Sequence, residues 1–245
     1  PIGLNGLEGV GSFSIRKHRF YKEADILNLH GIHSGYFNYL ALPRLTQGKP
    51  TVWSQHDIWG ITGHCTFSYD CERWKTGCGH CPYPNHYPAI KRDATALEWK
   101  LKQWAYSRSK INIVVPSKWF LGLLKDSLFS VFQAHHIPWC LNMENYKPLN
   151  KGESRSVLGI PKEKKVLFCS AVSFKLHNKG GDLLYESLKK LPESLKKDLL
   201  VITLGHGGDT LFREAGVASM HFGYVINDYF KAIVGSAADA YLLPT

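Results

Sequence analysis

The chain has 245 residues, 44% of them hydrophobic and 20% charged, an ordinary globular balance with room for one or two domains. No apolar run approaches the ~20 residues of a membrane span, and the opening PIGLNGLEGVGSFSIRKHRF lacks the basic-then-apolar order of a signal peptide. The net charge is +10, with 17 basic against 10 acidic residues in 1–150 and 13 against 10 in 151–245. That surplus is spread out, and it suits anionic partners or an ordinary solvated surface.

Short β-branched runs alternate with helical patterns. ADILNLH (24–30) reads as a strand, GYFNYLALPRL (35–45) as a helix cut by Pro43, and PTVWSQH (50–56) as a strand. ATALEWKLKQWAYSRS (94–109) is a helix with Asp93 as N-cap and with Leu97, Leu101, Trp104 and Ala105 on one face. INIVVP (111–116) is a buried strand, and Ser117 caps a helix with Trp119, Leu123 and Leu124 at helical spacing. The polar stretch 142–165 reads as a linker followed by the entry to a second domain. Beyond it come strands at 165–171, 199–205, 219–225 and 239–244. Helices are expected at 181–191, with Leu183, Leu184 and Leu188 inward, and at 228–237. Alternation on this scale predicts an α/β protein of two Rossmann-like domains with parallel sheets, 1–150 and 151–245. The first carries a Cys-rich insertion over 64–90.

Four of the six cysteines, Cys65, Cys71, Cys78 and Cys81, are spaced C-x5-C-x6-C-x2-C. Four thiolates fit a closed tetrahedral zinc clip, with His64 and His80 as further donors. Free thiols and a disulfide are the alternatives. The low cysteine density favours reduced thiols in the cytoplasm. A redox role fits poorly, because the C-x2-C lies off any helix start. Cys140 and Cys169 read as packed residues.

His56 and Asp57 follow a strand, where a parallel α/β domain presents side chains to ligands. His56 can hydrogen-bond a sugar hydroxyl or a developing charge, and Asp57 can orient it. A packed His beside a capping Asp is the plainer alternative. In SFKLHNKGGDLL (173–184), Gly180 and Gly181 open a helix beside Lys175 and Lys179, which is phosphate-binding chemistry or an ordinary loop. TLGHGG (203–208) and HFGYV (221–225) are glycine-containing strand ends that can line a nucleotide pocket or simply turn.

In this order the segments resemble the retaining glycosyltransferases of the GT-B fold, glycosyltransferase family 4 (group 1). The matching residues are HD-W--TGHC (56–65), VVPSKWF (114–120), HHIPWCLNMENYKPL (135–149), SAVSFKLHNKGGDLLYESL (170–188), LGHGG (204–208) and FGYV--DYFKAIVGSAADAYLLPT (222–245). The cysteine-bearing stretch is similar to the subgroup that builds surface polysaccharides, the colanic-acid type being nearest. The resemblance implies transfer of a sugar, with retention, from a nucleotide-diphosphate donor to a glycan or lipid-linked acceptor. It implies no catalytic metal and no nucleic acid. A cytoplasmic protein is expected, in peripheral contact with the inner, anionic membrane face.

His56 matches the histidine beside the anomeric centre, and Lys179 the lysine on the donor diphosphate. Gly205, Gly207, Tyr224 and Val225 match the base and ribose region. Ser173 stands where the family has an Arg, and Lys175 is the residue on hand to replace it. Neither the family's E-x7-E glutamates nor its first strand is present, so truncation at both ends and inactivity of these 245 residues alone are expected. Two other readings are a zinc-containing nucleic-acid-binding protein and an inactive GT-B homologue acting as a scaffold. Scattered aromatics and the lack of an RNA-binding signature weigh against the first.

Overall fold

The computed structural model describes residues 3–244. The chain divides into two compact units, Pro1–Trp139 and Cys140–Thr245, ahead of the expected boundary at 150. Unit 1 runs α1 (Arg19–Glu23), β1 (Leu27–His30), α2 (Leu42–Thr46), β2 (Thr51–Ser54), α3 (Thr95–Tyr106), β3 (Asn112–Val115), α4 (Lys118–Leu124) and β4 (Gln133–His136). Its strands pair in parallel in the order β1-β2-β3-β4. The inner strand β3 buries Ile113, Val114 and Val115 in succession, as a strand covered on both faces should. The edge strands β1 and β4 alternate between half-buried and exposed residues. Trp53 packs edge-on against Phe129 at 5.1 Å and Tyr106 at 5.8 Å. Each such pair adds about 0.5–1.5 kcal/mol beyond burial.

Unit 2 runs α5 (Lys151–Val157), β5 (Lys165–Ser173), α6 (Gly181–Lys189), α7 (Glu193–Lys196), β6 (Leu199–His206), α8 (Gly208–Arg213), β7 (Ala218–His221), α9 (Asp228–Ala237) and β8 (Ala240–Leu242). The parallel order is β7-β6-β5-β8. Alternate residues of β6 serve opposite faces. Leu199 and Val201 pack with Leu184, Leu188 and Phe212, whereas Leu200, Ile202 and Leu204 pack with Val234 and Ala237. The sheet is therefore covered on both sides, which is the doubly wound arrangement the alternation predicts.

Several expectations need correction. The segment 142–165, expected as a linker and domain entry, also forms a helix, α5, whose buried Arg155 donates to the carbonyls of Ala237 (3.0 Å) and Lys162 (3.1 Å). Arg155 also pairs with Asp239 at 2.9 Å. β4 escapes a sequence reading because QAHH contains no β-branched residue. Pro43 sits in the first turn of α2 and does not cut a helix. Leu97, Trp104, Trp119 and Leu183 point outward, and Cys140 is exposed. α3 instead buries Glu98 and Lys102. Ser117 caps α4 as expected, its hydroxyl accepting the Phe120 N–H at 3.2 Å. Asp93 accepts from the backbone and hydroxyl of Thr95, one residue ahead of the cap position Ala94.

The inward face of α3 follows from hydrogen bonding. Lys102 Nζ donates to the carbonyls of Trp59 (2.7 Å) and Thr62 (3.0 Å) and lies 3.4 Å from the Trp59 ring centroid. Burial lowers its pKa to about 8, with Glu98 pulling the other way. Burial likewise raises Glu98 to about 7 against the pull of Lys102. The folded chain thus holds the Glu98 proton between its ordinary 4.5 and about 7, where the unfolded chain has released it. Unit 1 should lose stability as pH rises through that window, by up to about 3 kcal/mol. Glu98→Gln should flatten the fall in denaturation midpoints between pH 5 and 7, and an unchanged slope would count against this assignment.

Candidate functional site

Parallel strands deliver their carboxyl ends to one edge, and in unit 1 that edge gathers histidines. His30 ends β1 and pairs with Ser54 of β2, so His56 emerges just beyond it. His30 Nδ1 and His56 Nε2 stand 2.8 Å apart. The opposite aromatic contact of His56 is Trp139, stacked at 4.8 Å and 16°. Asp57 does not serve as the orienting partner of His56. Its Oδ2 meets His33 Nε2 at 2.9 Å and its Oδ1 accepts the Trp59 N–H at 2.8 Å. His33 Nδ1 reaches the Ser34 hydroxyl at 2.8 Å, and that hydroxyl contacts Tyr87. Sequence reasoning found His56 and Asp57 and missed His30, His33 and Trp139. The signal available was H-x2-H directly after a predicted strand. The 57–62 turn rests on Lys102 and on the Tyr106 hydroxyl, which donates to Gly60 O at 2.9 Å.

The four cysteines do come together. Cys65, Cys71, Cys78 and Cys81 line a cavity of about 20 Å³ with His64. The Gly63 N–H donates to Cys78 Sγ at 3.2 Å, and His64 Nε2 meets Cys81 Sγ at 3.1 Å while its Nδ1 meets the Pro88 carbonyl at 3.0 Å. The CGHC turn carries three successive positive φ values, +53° at Cys78, +96° at Gly79 and +48° at His80. Asp93 clamps it by accepting the Cys81 N–H at 2.7 Å. Burial opposes ionisation of Asp93, but its hydrogen bonds from Thr95 and Cys81 prevail and lower its pKa. Burial pushes the thiols up, Cys65 to about 11 and Cys78 to about 12, and raises Cys81 as well. All four are free thiols in the structure. Among the described residues no group of three or more His, Cys, Asp or Glu is arranged to hold a metal ion. His80, the other suggested donor, is exposed and lies outside the cavity.

In unit 2 the predicted donor residues again fall at carboxyl strand ends. β5 leads through Lys175 and Lys179 to Gly180, whose φ of +61° opens α6. A Cβ at Gly180 would stand 1.9 Å from Pro244 O, and one at Gly181 2.1 Å from Phe174 O. These glycines therefore admit the protein's own backbone. Gly205 (φ +122°) is tighter still, with 1.6 Å to Ala171 O, and its N–H donates to Gly223 O at 2.6 Å. Gly207 (φ +79°) begins α8, with the Lys175 stem packed beside it. A cavity of about 890 Å³ brings together Gly205, Tyr224 and Val225 with Lys231 and Tyr241. Lys175, Lys179, Gly180 and Gly207 stand outside its lining. His206, missed in the sequence, stacks on Tyr224 at 5.9 Å and 7°.

No protein-family model matches the chain. Over 75 residues it is 41% identical to the "Putative colanic acid biosynthesis glycosyl transferase WcaC" of Escherichia coli (strain K12), covering 28% of this chain and 18% of that protein. Among solved structures, sucrose-phosphate synthase of Thermosynechococcus elongatus superposes with a TM-score of 0.63 at 13% identity, over 95% of this chain and 53% of that one. A glycosyltransferase of Rickettsia africae gives a TM-score of 0.44 at 11% identity, over 89% and 72%. The chain thus spans about half of the synthase, and the matched stretch is under a fifth of the curated relative. The fold is α/β with two parallel four-stranded sheets, as in GT-B glycosyltransferases.

Gly205→Ala should destabilise unit 2 by about 1–3 kcal/mol, because a left-handed backbone and a carbonyl collision coincide there. Chemical denaturation of the variant beside the parent checks it.

Proposed function

We propose that this chain belongs to a retaining glycosyltransferase of family 4. In this reading the whole protein moves a sugar from a nucleotide-diphosphate donor to a glycan or lipid-linked acceptor during polysaccharide synthesis. The observation that carries the reading is the 41% identity to a relative named as a colanic acid biosynthesis glycosyl transferase, on a GT-B-like fold.

The roles follow from charge. Breaking the anomeric bond puts negative charge on the leaving diphosphate. Lys179, with Lys175 beside it, supplies cations on the loop after β5, ahead of the amide-rich start of α6. Gly205, Tyr224 and Val225 line the unit 2 cavity, where a base and ribose would lie, and Gly207 follows Gly205 at the same strand end. His56 would contact the sugar, while Asp57 braces the turn that carries it. The basic surplus of residues 1–150 suits an acceptor on an anionic membrane face. Among the described residues no helix is long and apolar enough to cross a membrane. The nucleic-acid reading is not favoured, because the matched relative is named as a glycosyl transferase and the sequence carries no RNA-binding signature.

A structural zinc clip is a second element of the proposal. Its support is one small cavity shared by four thiols and His64, whose Nδ1 is held by a carbonyl as in many metal-bound histidines. The sulfurs would have to close on the ion and ionise as it binds. Protein produced with ample zinc should contain about one equivalent. A content near zero would end this element and leave the sugar-transfer reading untouched.

The decisive experiment uses the full-length protein in a thermal-shift panel of nucleoside diphosphates and nucleotide sugars. One nucleotide should raise the melting temperature, and Lys179→Ala should abolish the rise. His56→Ala should keep nucleotide binding and lose transfer. No shift with any nucleotide would overturn the enzymatic reading.

A further inference from the structure

The geometry points to His30 as the positioning residue that fixes how His56 meets its ligand. The inference rests on the proposed sugar-transfer role of His56 for its consequence, though not for its structural content. A neutral imidazole has one N–H and one lone pair, so two ring nitrogens 2.8 Å apart require one donor and one acceptor. Isolated neutral histidine prefers the proton on Nε2. When His56 Nε2–H donates to His30 Nδ1, both rings keep that preferred form. The reverse arrangement would put both rings in the less favoured one.

The consequence is specific. Trp139 covers one face of the His56 ring and His30 holds its Nε2, with ring centroids 5.2 Å apart. No residue among those described bonds Nδ1 of His56, so that lone pair is the polar atom left for a ligand. It accepts a hydrogen bond. The group it selects is a hydroxyl, such as one on a sugar ring, in preference to a carbonyl or ether oxygen. β1–β2 pairing of His30 with Ser54 sets the spacing, so the two imidazoles meet without help from a bound molecule. Asp57 cannot take over this task while it holds His33 and the Trp59 amide.

Nitrogen-15 NMR of the histidine rings in this chain, at a pH where both are neutral, tests the assignment. His56 should show a protonated Nε2, an unprotonated Nδ1, and a through-bond coupling from Nε2 to His30 Nδ1. His30→Gln keeps an acceptor and should retain the slowly exchanging Nε2 proton of His56. His30→Phe should lose it while the backbone spectrum of the sheet stays intact. A proton on His56 Nδ1, or no coupling between the two rings, would overturn the inference.

In the full-length protein, His30→Phe should lower kcat on the order of 10- to 100-fold by misplacing the ring, with nucleotide binding unchanged. His30→Gln should recover most of that loss. A kcat that did not respond to His30→Phe would refute the positioning role. Failure of nucleotide binding in the parent would instead count against sugar transfer and leave the coupling result standing.

Discussion

The buried ammonium of Lys102 organises the first unit. Its Nζ is shared between the carbonyls of Trp59 and Thr62 and lies over the Trp59 ring. A cation taken wholly out of water costs several kcal/mol unless its donors are satisfied. Here two carbonyls and an indole face satisfy it, and in return it fixes the turn between them. That turn begins at Asp57 and runs into His64 and Cys65. The histidine edge and the cysteine knuckle both hang from one helix position. Replacing Lys102 by an apolar residue would take a donor from each buried carbonyl and leave that of Trp59 with only the longer bonds from Thr62, its N–H at 3.3 Å and its hydroxyl at 3.4 Å.

From that anchor the two chemical clusters diverge. Toward the sheet, Asp57 braces His33, and His30 meets His56, so the edge carries a preformed array of imidazoles. Away from the sheet, four thiols and His64 close around a small cavity, held by Asp93, Thr95 and a run of left-handed residues. Three successive positive φ values are costly for Cys78 and His80, which carry side chains. The clamp from Asp93 and the contacts of the cavity offset that cost.

The second unit solves a different problem. Gly180, Gly181 and Gly205 invite a reading as ligand-binding glycines, and the structure gives each a nearer reason. A neighbouring carbonyl of the chain itself occupies the space a Cβ would need. These contacts bring the carboxyl ends of β5, β6 and β8 close together. The cavity that holds Gly205, Tyr224 and Val225 is a consequence of that crowding. At the amino ends of β5 and β8, Asp239 accepts from the Val166 N–H and pairs with Lys151 and Arg155. Burial opposes its charge, but these partners win and hold its pKa down near 2.

The sequence by itself determined the class of fold, because strand and helix periodicities differ and their alternation leaves few topologies. It located the inner strands β3 and β6, whose mostly apolar runs reflect burial on both faces, and α9 to the residue. It placed His56 and Asp57 at a strand end and the four cysteines in one irregular stretch. Tertiary structure alone decided the rest. Whether Leu97 or Glu98 faces inward on α3 depends on carbonyls contributed by residues 59–62, far away in the chain. That His30 and not Asp57 meets His56 depends on the β1–β2 register, which local sequence does not encode. β4 forms because β3 offers it an edge, against the weak strand propensity of QAHH. Patterning records which faces can be buried, whereas the partners of buried polar groups are set only when distant segments meet.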